Sequence, residues 1–133
     1  MRHKVIIAVL ASSMLATTPA GAAQESEIYR KSIECGALHG VYSGILEDDE
    51  PAAAAGNADM STRYFMMAIN RSDGDTDAVD AAAMEETDRL VAFMEDPEVT
   101  EADIDAFFGE RNAYCDAFNA QVQEEFDAID MTE

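Results

Sequence analysis

From Ser26 onward the apolar residues recur every three or four positions, and no stretch alternates apolar with polar residues as a half-buried strand would. The pattern predicts an all-α chain of four helices. The first runs from about Ser26 to Leu46, with Ile28, Cys35, Leu38, Tyr42, Ile45 and Leu46 on one face. No Asp, Glu, Lys or Arg occurs between Cys35 and Leu46, so this helix is expected to be the most buried element. Glu47-Asp48-Asp49-Glu50 breaks the pattern, and Pro51 suits the first position of a second helix, where its missing N–H costs nothing. That helix is expected to reach Asn70 on an inner row of Ala54, Ala58, Ser61, Phe65 and Ala68, with Gly56-Asn57 as its weak point.

Asp73-Gly74-Asp75 ends the second helix, and a third is expected from about Asp77 to Met94, burying Val79, Ala83, Leu90, Phe93 and Met94. The start of the fourth carries the clearest local signal. Thr100 is a good N-cap, Asp103 sits three residues on, and Val99 and Ile104 bracket the cap as a hydrophobic staple. A stripe of Ile104, Phe107, Phe108, Cys115, Phe118, Val122, Phe126 and Ile129 carries this helix to about Asp130. Four helices joined by short loops fit an up-down-up-down four-helix bundle.

The segment before Ser26 reads differently. Arg2 and Lys4 precede an apolar run from Val5 to Ala16, too short to span a bilayer, and small residues at Ala20 and Ala22 suit signal peptidase. Residues 1–23 are therefore expected to be a signal peptide and 24–133 a single exported helical-bundle domain, periplasmic or extracellular. No cysteine follows the cleavage point to carry a lipid, so no membrane anchor is expected after cleavage. About 110 residues suffice for one core of ordinary size and not for two.

Removing the signal peptide takes away two of the eight basic residues and none of the 28 acids, which moves the formal charge from −20 to −22. Such a surface repels nucleic acid and anionic lipid and attracts a basic protein or peptide. Adaptation of the whole surface to salty surroundings is the other reading of the same charge. Lys31 is the one remaining lysine, beside Arg30, Arg63, Arg71, Arg89 and Arg111.

Cys35 and Cys115 are the two cysteines, in a compartment that oxidises thiols, and a disulfide is expected between them. Each lies on the apolar face near the middle of its helix, so the bond would join helices 1 and 4. Closing a loop of this length stabilises a fold by about 4–5 kcal/mol on the chain-entropy account. The pair is no C-x-x-C redox motif, and with His39 as the one histidine of the mature chain no zinc-finger spacing exists.

Two further features call for a structural reason. Ser32, Gly36, Gly40 and Gly44 form a ridge of small residues at every fourth position of the first helix. Glycine inside a helix costs about 1 kcal/mol relative to alanine, so close approach of another helix is expected there. Folding back at Glu47 to Glu50 sets Gly40 against Ala58 and Gly36 against Ser61 or Thr62; a flat ligand on the glycine face is the alternative. The second feature is charge on apolar faces. Arg111 falls between Phe108 and Cys115, and Glu86 falls among Val79, Ala83, Leu90 and Phe93. Counting along antiparallel helices puts both level with His39. One polar layer is expected, with Glu86 and Arg111 as a charge pair and His39 beside them, serving to fix helix register or to donate to a small anion or ligand.

The remaining motifs carry little chemistry. Asp73-x-Asp75-x-Asp77 opens like a calcium loop, but the required glycine is displaced and position twelve is Met84, so a solvated turn is expected, as at Glu47 to Glu50. Methionines such as Met66-Met67 read as core filler, and haem ligation by His39 lacks an attachment motif. His39 and Ser43 do not lie in a nucleophile elbow, and no phosphate loop is present. The expectation is an exported bundle that is not an enzyme, holds no cofactor or metal, and binds a cationic periplasmic protein or peptide, for example a basic enzyme that it inhibits or sequesters. The alternative is a small-ligand or cofactor carrier using the interior face of the first helix. The sequence does not set the oligomeric state.

Overall fold

The computed structural model describes residues 20–132, with side chains from Glu25 onward. The expected signal peptide lies outside the described residues as far as Pro19. Four helices follow in order: α1 (Ala20–Leu46), α2 (Pro51–Arg71), α3 (Thr76–Glu95) and α4 (Glu101–Asp127). No strand occurs among the described residues. α1 begins six residues earlier than expected, because Ala20 to Gln24 is an alanine-rich run with nothing to stop a helix that has already started.

α1 is the central element. Ser32, Ile33, Cys35, Ala37, Leu38, His39 and Val41 are all buried, which covers every side of the helix over these turns, as the absence of charge there implies. Its last turns emerge from the core, and Ile45, expected on the inner face, is 55% exposed. α1 packs most extensively on α2, less on α3, and least on α4. The Cys35–Cys115 disulfide is among those contacts, with Cα atoms 5.6 Å apart and both residues buried.

Pro51 opens α2 as expected. Its buried face is turned from the expected row. Ala54, Ser61 and Ala68 are buried, but Ala58 is exposed and Phe65 half-buried, while Tyr64 and Met67 are fully buried. The alanines at 52–55 supply no apolar–polar contrast, so the bulky pair further along sets the facing. Tyr64 is the hub of the core: its ring stacks on Phe118 at 5.8 Å and meets Phe126 at 4.8 Å. Burial pushes its phenol above the ordinary tyrosine range.

Local chemistry sets the other boundaries. Asp75 caps α3 by accepting from the Ala78 N–H, so the aspartate turn after α2 also starts the next helix. Thr100 and Asp103 form a complete capping box at α4, each side chain accepting the other's backbone N–H. α4 stops at Asp127, three residues before the expected end, after a kink at Val122 (φ −113°, ψ 16°). Arg63 then closes that end, donating to the carbonyls of Phe126 and Ile129, each at 3.2 Å. Nearby Arg71 makes a bidentate pair with Glu125, both bonds 2.6 Å, and an ion pair with Glu25, tying together the ends of α1, α2 and α4.

The glycine ridge faces α2 for part of its length. Ser61 Oγ donates to the Gly36 carbonyl at 2.7 Å, and a Cβ on Gly36 would fall 2.5 Å from the Phe65 ring. Gly40 faces Ser61 rather than the expected Ala58, at 3.3 Å from a notional Cβ, and Gly44 faces nothing within 4 Å. The space that a flat ligand would need at Gly36 is therefore filled by Phe65. Ser32, at the start of the ridge, is fully buried and its hydroxyl has no hydrogen-bond partner in the protein.

Candidate ligand groove between α1, α3 and α4

α3 and α4 scarcely touch. They meet through side chains that reach across, the Phe93 and Phe107 rings with centroids 4.4 Å apart and Arg111 opposite Glu86. Between α1 and α4 lies a groove of about 430 Å³ lined by Arg30, Glu34, Phe107, Glu110, Arg111 and Tyr114. It adjoins a second hollow of about 250 Å³ that shares Arg30 and Glu34 and adds Tyr29, Ile33, Ala82, Glu85, Glu86 and Arg89. Three of the chain's arginines converge here, although acids outnumber bases by more than three to one along the chain.

One wall is pinned by a short network between α1 and α4. Arg30 Nη1 donates to Glu34 Oε1 at 2.7 Å, and Tyr114 Oη donates to Glu34 Oε2 at 2.8 Å. Partial burial, reinforced by the Glu34 carboxylate, pushes the Tyr114 phenol above its ordinary range, and the hydrogen bond to Glu34 holds Arg30 firmly protonated. Lys31 completes this wall from behind, its ammonium 5.6 Å from the Tyr114 ring and 5.8 Å from Phe118.

The second hollow, between α1 and α3, has Glu86 in its wall, 6% exposed on the inner face of α3. Its Oε2 accepts a 2.6 Å bond from Arg89, one turn along the same helix. Its Oε1 has no hydrogen-bond partner in the protein; Arg111 Nη1 lies 3.7 Å away, attracted but not bonded. The Arg111 guanidinium sits instead over the Phe107 ring, 5.2 Å from its centroid.

The structure thus brings Glu86 and Arg111 together and leaves His39 elsewhere. His39 Nδ1 is 2.8 Å from Asn57 Oδ1, and the ring stacks on Tyr64 at 5.8 Å, so it belongs to the α1–α2 contact. The reason is azimuth. Each helical residue turns about 100°, so His39 lies about 40° from Cys35, on the side of Gly36 and Gly40 that faces α2. Among the expected site residues Arg30, Glu34 and Tyr114 were missed. Their signal is the i, i+4 pair Arg30/Glu34, which is followed on α1 by the uncharged stretch from Cys35 to Leu46.

Among the described residues no three His, Cys, Asp or Glu side chains come together as a metal site. Comparison with known protein families, with curated proteins and with solved structures finds no match, so the groove is read from its own chemistry.

Proposed function

We propose that the protein is an exported, non-catalytic helical bundle that acts by binding a cationic protein or peptide in the periplasm or outside the cell. One observation carries this reading. Every lysine and arginine among the described residues already lies within 4.0 Å of a carboxylate of the same chain, so the remaining carboxylates are left for an external cation. The densest of these are Glu47 to Glu50 between α1 and α2, and Glu95, Asp96, Glu98, Glu101, Asp103 and Asp105 around the α3–α4 turn.

In this reading the helices run alternately up and down, which places both turns at one end. Supporting it, Cys35 bonds Cys115 and Tyr42, two turns further along α1, meets Phe108, two turns back along α4. Asn112 also donates to the Tyr42 hydroxyl at 2.7 Å. Exposed Ile45 then lies among the acidic turns as an apolar foothold. A disulfide suits an oxidising, exported compartment, and no described helix is long and apolar enough to cross a membrane.

Calorimetric titration with a small basic protein across a salt series tests the proposal. Affinity is expected to fall steeply with salt and to collapse when Glu47, Asp48, Asp49 and Glu50 are replaced by their amides. Binding that ignores both changes, or binding of DNA and anionic vesicles as strong as that of basic proteins, would overturn it.

A further inference from the structure

We infer that the outer face of α3, where it borders α2, is a docking site for a short amphipathic helix of a basic partner, one apolar side chain with a lysine or arginine one turn to either side. Three features of the surface meet there. Met84 is 67% exposed, and among the described residues Ile45 is the only other large apolar side chain in that state. Beside Met84 lies a hollow of about 340 Å³ lined by Phe65, Asp80, Ala83, Met84, Thr87 and Asp88. The Phe65 ring is wedged against Gly36 of α1, so it forms a fixed floor to the hollow. Asp80 and Asp88 stand one turn before and one turn after Met84, both exposed, and no lysine or arginine among the described residues pairs with either. A single exposed apolar side chain is ordinary. This one borders a hollow with an aromatic floor and has an unpaired carboxylate at each end.

The row Asp80, Met84, Asp88 repeats every four residues, which on an α-helix draws one ridge about 12 Å long. Another helix packs on such a ridge by laying its own beside it. Its apolar residue then enters the hollow between α2 and α3, and its basic residues reach the two carboxylates. Charge selects the occupant. A second copy of this chain, with 28 acids and eight bases, is repelled, as are anionic lipid and nucleic acid. The inference rests on the reading above for the sign of the partner's charge, and adds the partner's shape and a face separate from the acidic turns.

The test is calorimetric titration of the full protein with an alanine-based helical peptide that carries a central leucine and a lysine four residues before and after it. One-to-one binding that weakens with salt is expected, and the Met84 methyl resonance should shift as peptide is added. Met84→Ser, or serine in place of the peptide's leucine, is expected to weaken binding about tenfold or more, the usual effect of losing a buried apolar contact. Asp80→Asn with Asp88→Asn should weaken it to a similar extent. All three positions are exposed, so these variants should melt as the native protein does. Replacing Glu47, Asp48, Asp49 and Glu50 by their amides should leave binding of this peptide within about twofold, because exposed charges beyond a Debye length are screened. A loss there as large as that from Asp80→Asn with Asp88→Asn would place the peptide at the acidic turns, which overturns this inference and leaves the basic-partner reading standing. Absence of binding at millimolar peptide overturns it too, as does undiminished binding by the folded Met84→Ser protein. A basic protein that still binds under the same conditions would show that only the α3 site has failed.

Discussion

Along the contact between α1 and α2, small groups interlock: Ser61 bonds the Gly36 carbonyl, the Phe65 ring lies where a Gly36 side chain would be, and His39 reaches Asn57. Between α3 and α4, by contrast, long side chains bridge a gap, Phe93 to Phe107 and Glu86 towards Arg111, with a groove left open beside them. Close packing of small residues gains dispersion and leaves no void, but it tolerates little change in volume. Bridging by long side chains keeps helices together while leaving space between them. The first contact is where stability should be most sensitive to volume; the second is where a ligand can enter.

The largest expected effect concerns the bond that compensates for the looser side. Cys35 and Cys115 lie 80 residues apart in sequence, so replacing both by alanine should cost about 4–5 kcal/mol on the chain-entropy account. Urea unfolding of the variant, and of the native protein with and without reductant, measures it. A loss near zero would mean that α4 is held by packing alone. Next, Gly36→Val places a branched side chain against Phe65 and should destabilise by about 1–3 kcal/mol, read in the same unfolding experiment.

Smaller effects sharpen the comparison. Thr100→Ala removes the cap that starts α4 and should cost about 1 kcal/mol near neutral pH. Part of the effect depends on pH. Hydrogen bonds from the Thr100 hydroxyl, and then from its backbone N–H, hold the Asp103 carboxyl below the ordinary aspartate value. A lowered folded-state pKa contributes stability that is present above the unfolded value and is lost as pH falls through the folded one. The gap between Thr100→Ala and the native protein should therefore narrow in acid, below the usual aspartate range, in melts across pH. Smallest, and opposite in sign, Gly44→Ala should stabilise by about 0.5–1 kcal/mol, because nothing stands within 4 Å of the new methyl and helical alanine is favoured. A Gly44→Ala variant that melts lower than the native protein would show that the whole ridge, and not only Gly36, is packed.

Much of the fold was legible because its signals are local. Pro51 and the Thr100–Asp103 box mark their helix starts in four residues or fewer, and the uncharged stretch of α1 announces a buried helix. The facing of α2 was not legible. Ala52 to Ala55 look alike on every side, and the decisive residues, Tyr64 and Met67, declare themselves only when Phe118 and Phe126 arrive from the far end of the chain. In the candidate site, counting residues along antiparallel helices gives height, which suffices for Glu86 and Arg111. It says nothing about rotation, and so His39, at the same height, was assigned to the wrong side of α1. The unsatisfied oxygen of Glu86 could not be read from sequence at all, since it depends on Arg89 taking the other oxygen.

Native-state hydrogen exchange tests the contrast between the two contacts most directly, because it reports the opening free energy of each helix separately. Backbone amides of α1 from Ser32 to Val41 and of α2 from Ser61 to Ala68 should exchange only through global unfolding. Those of α3, bridged to α4 by a few long side chains, should open at a clearly lower free energy. Equal protection of α3 and α1 in the ligand-free protein would contradict the account.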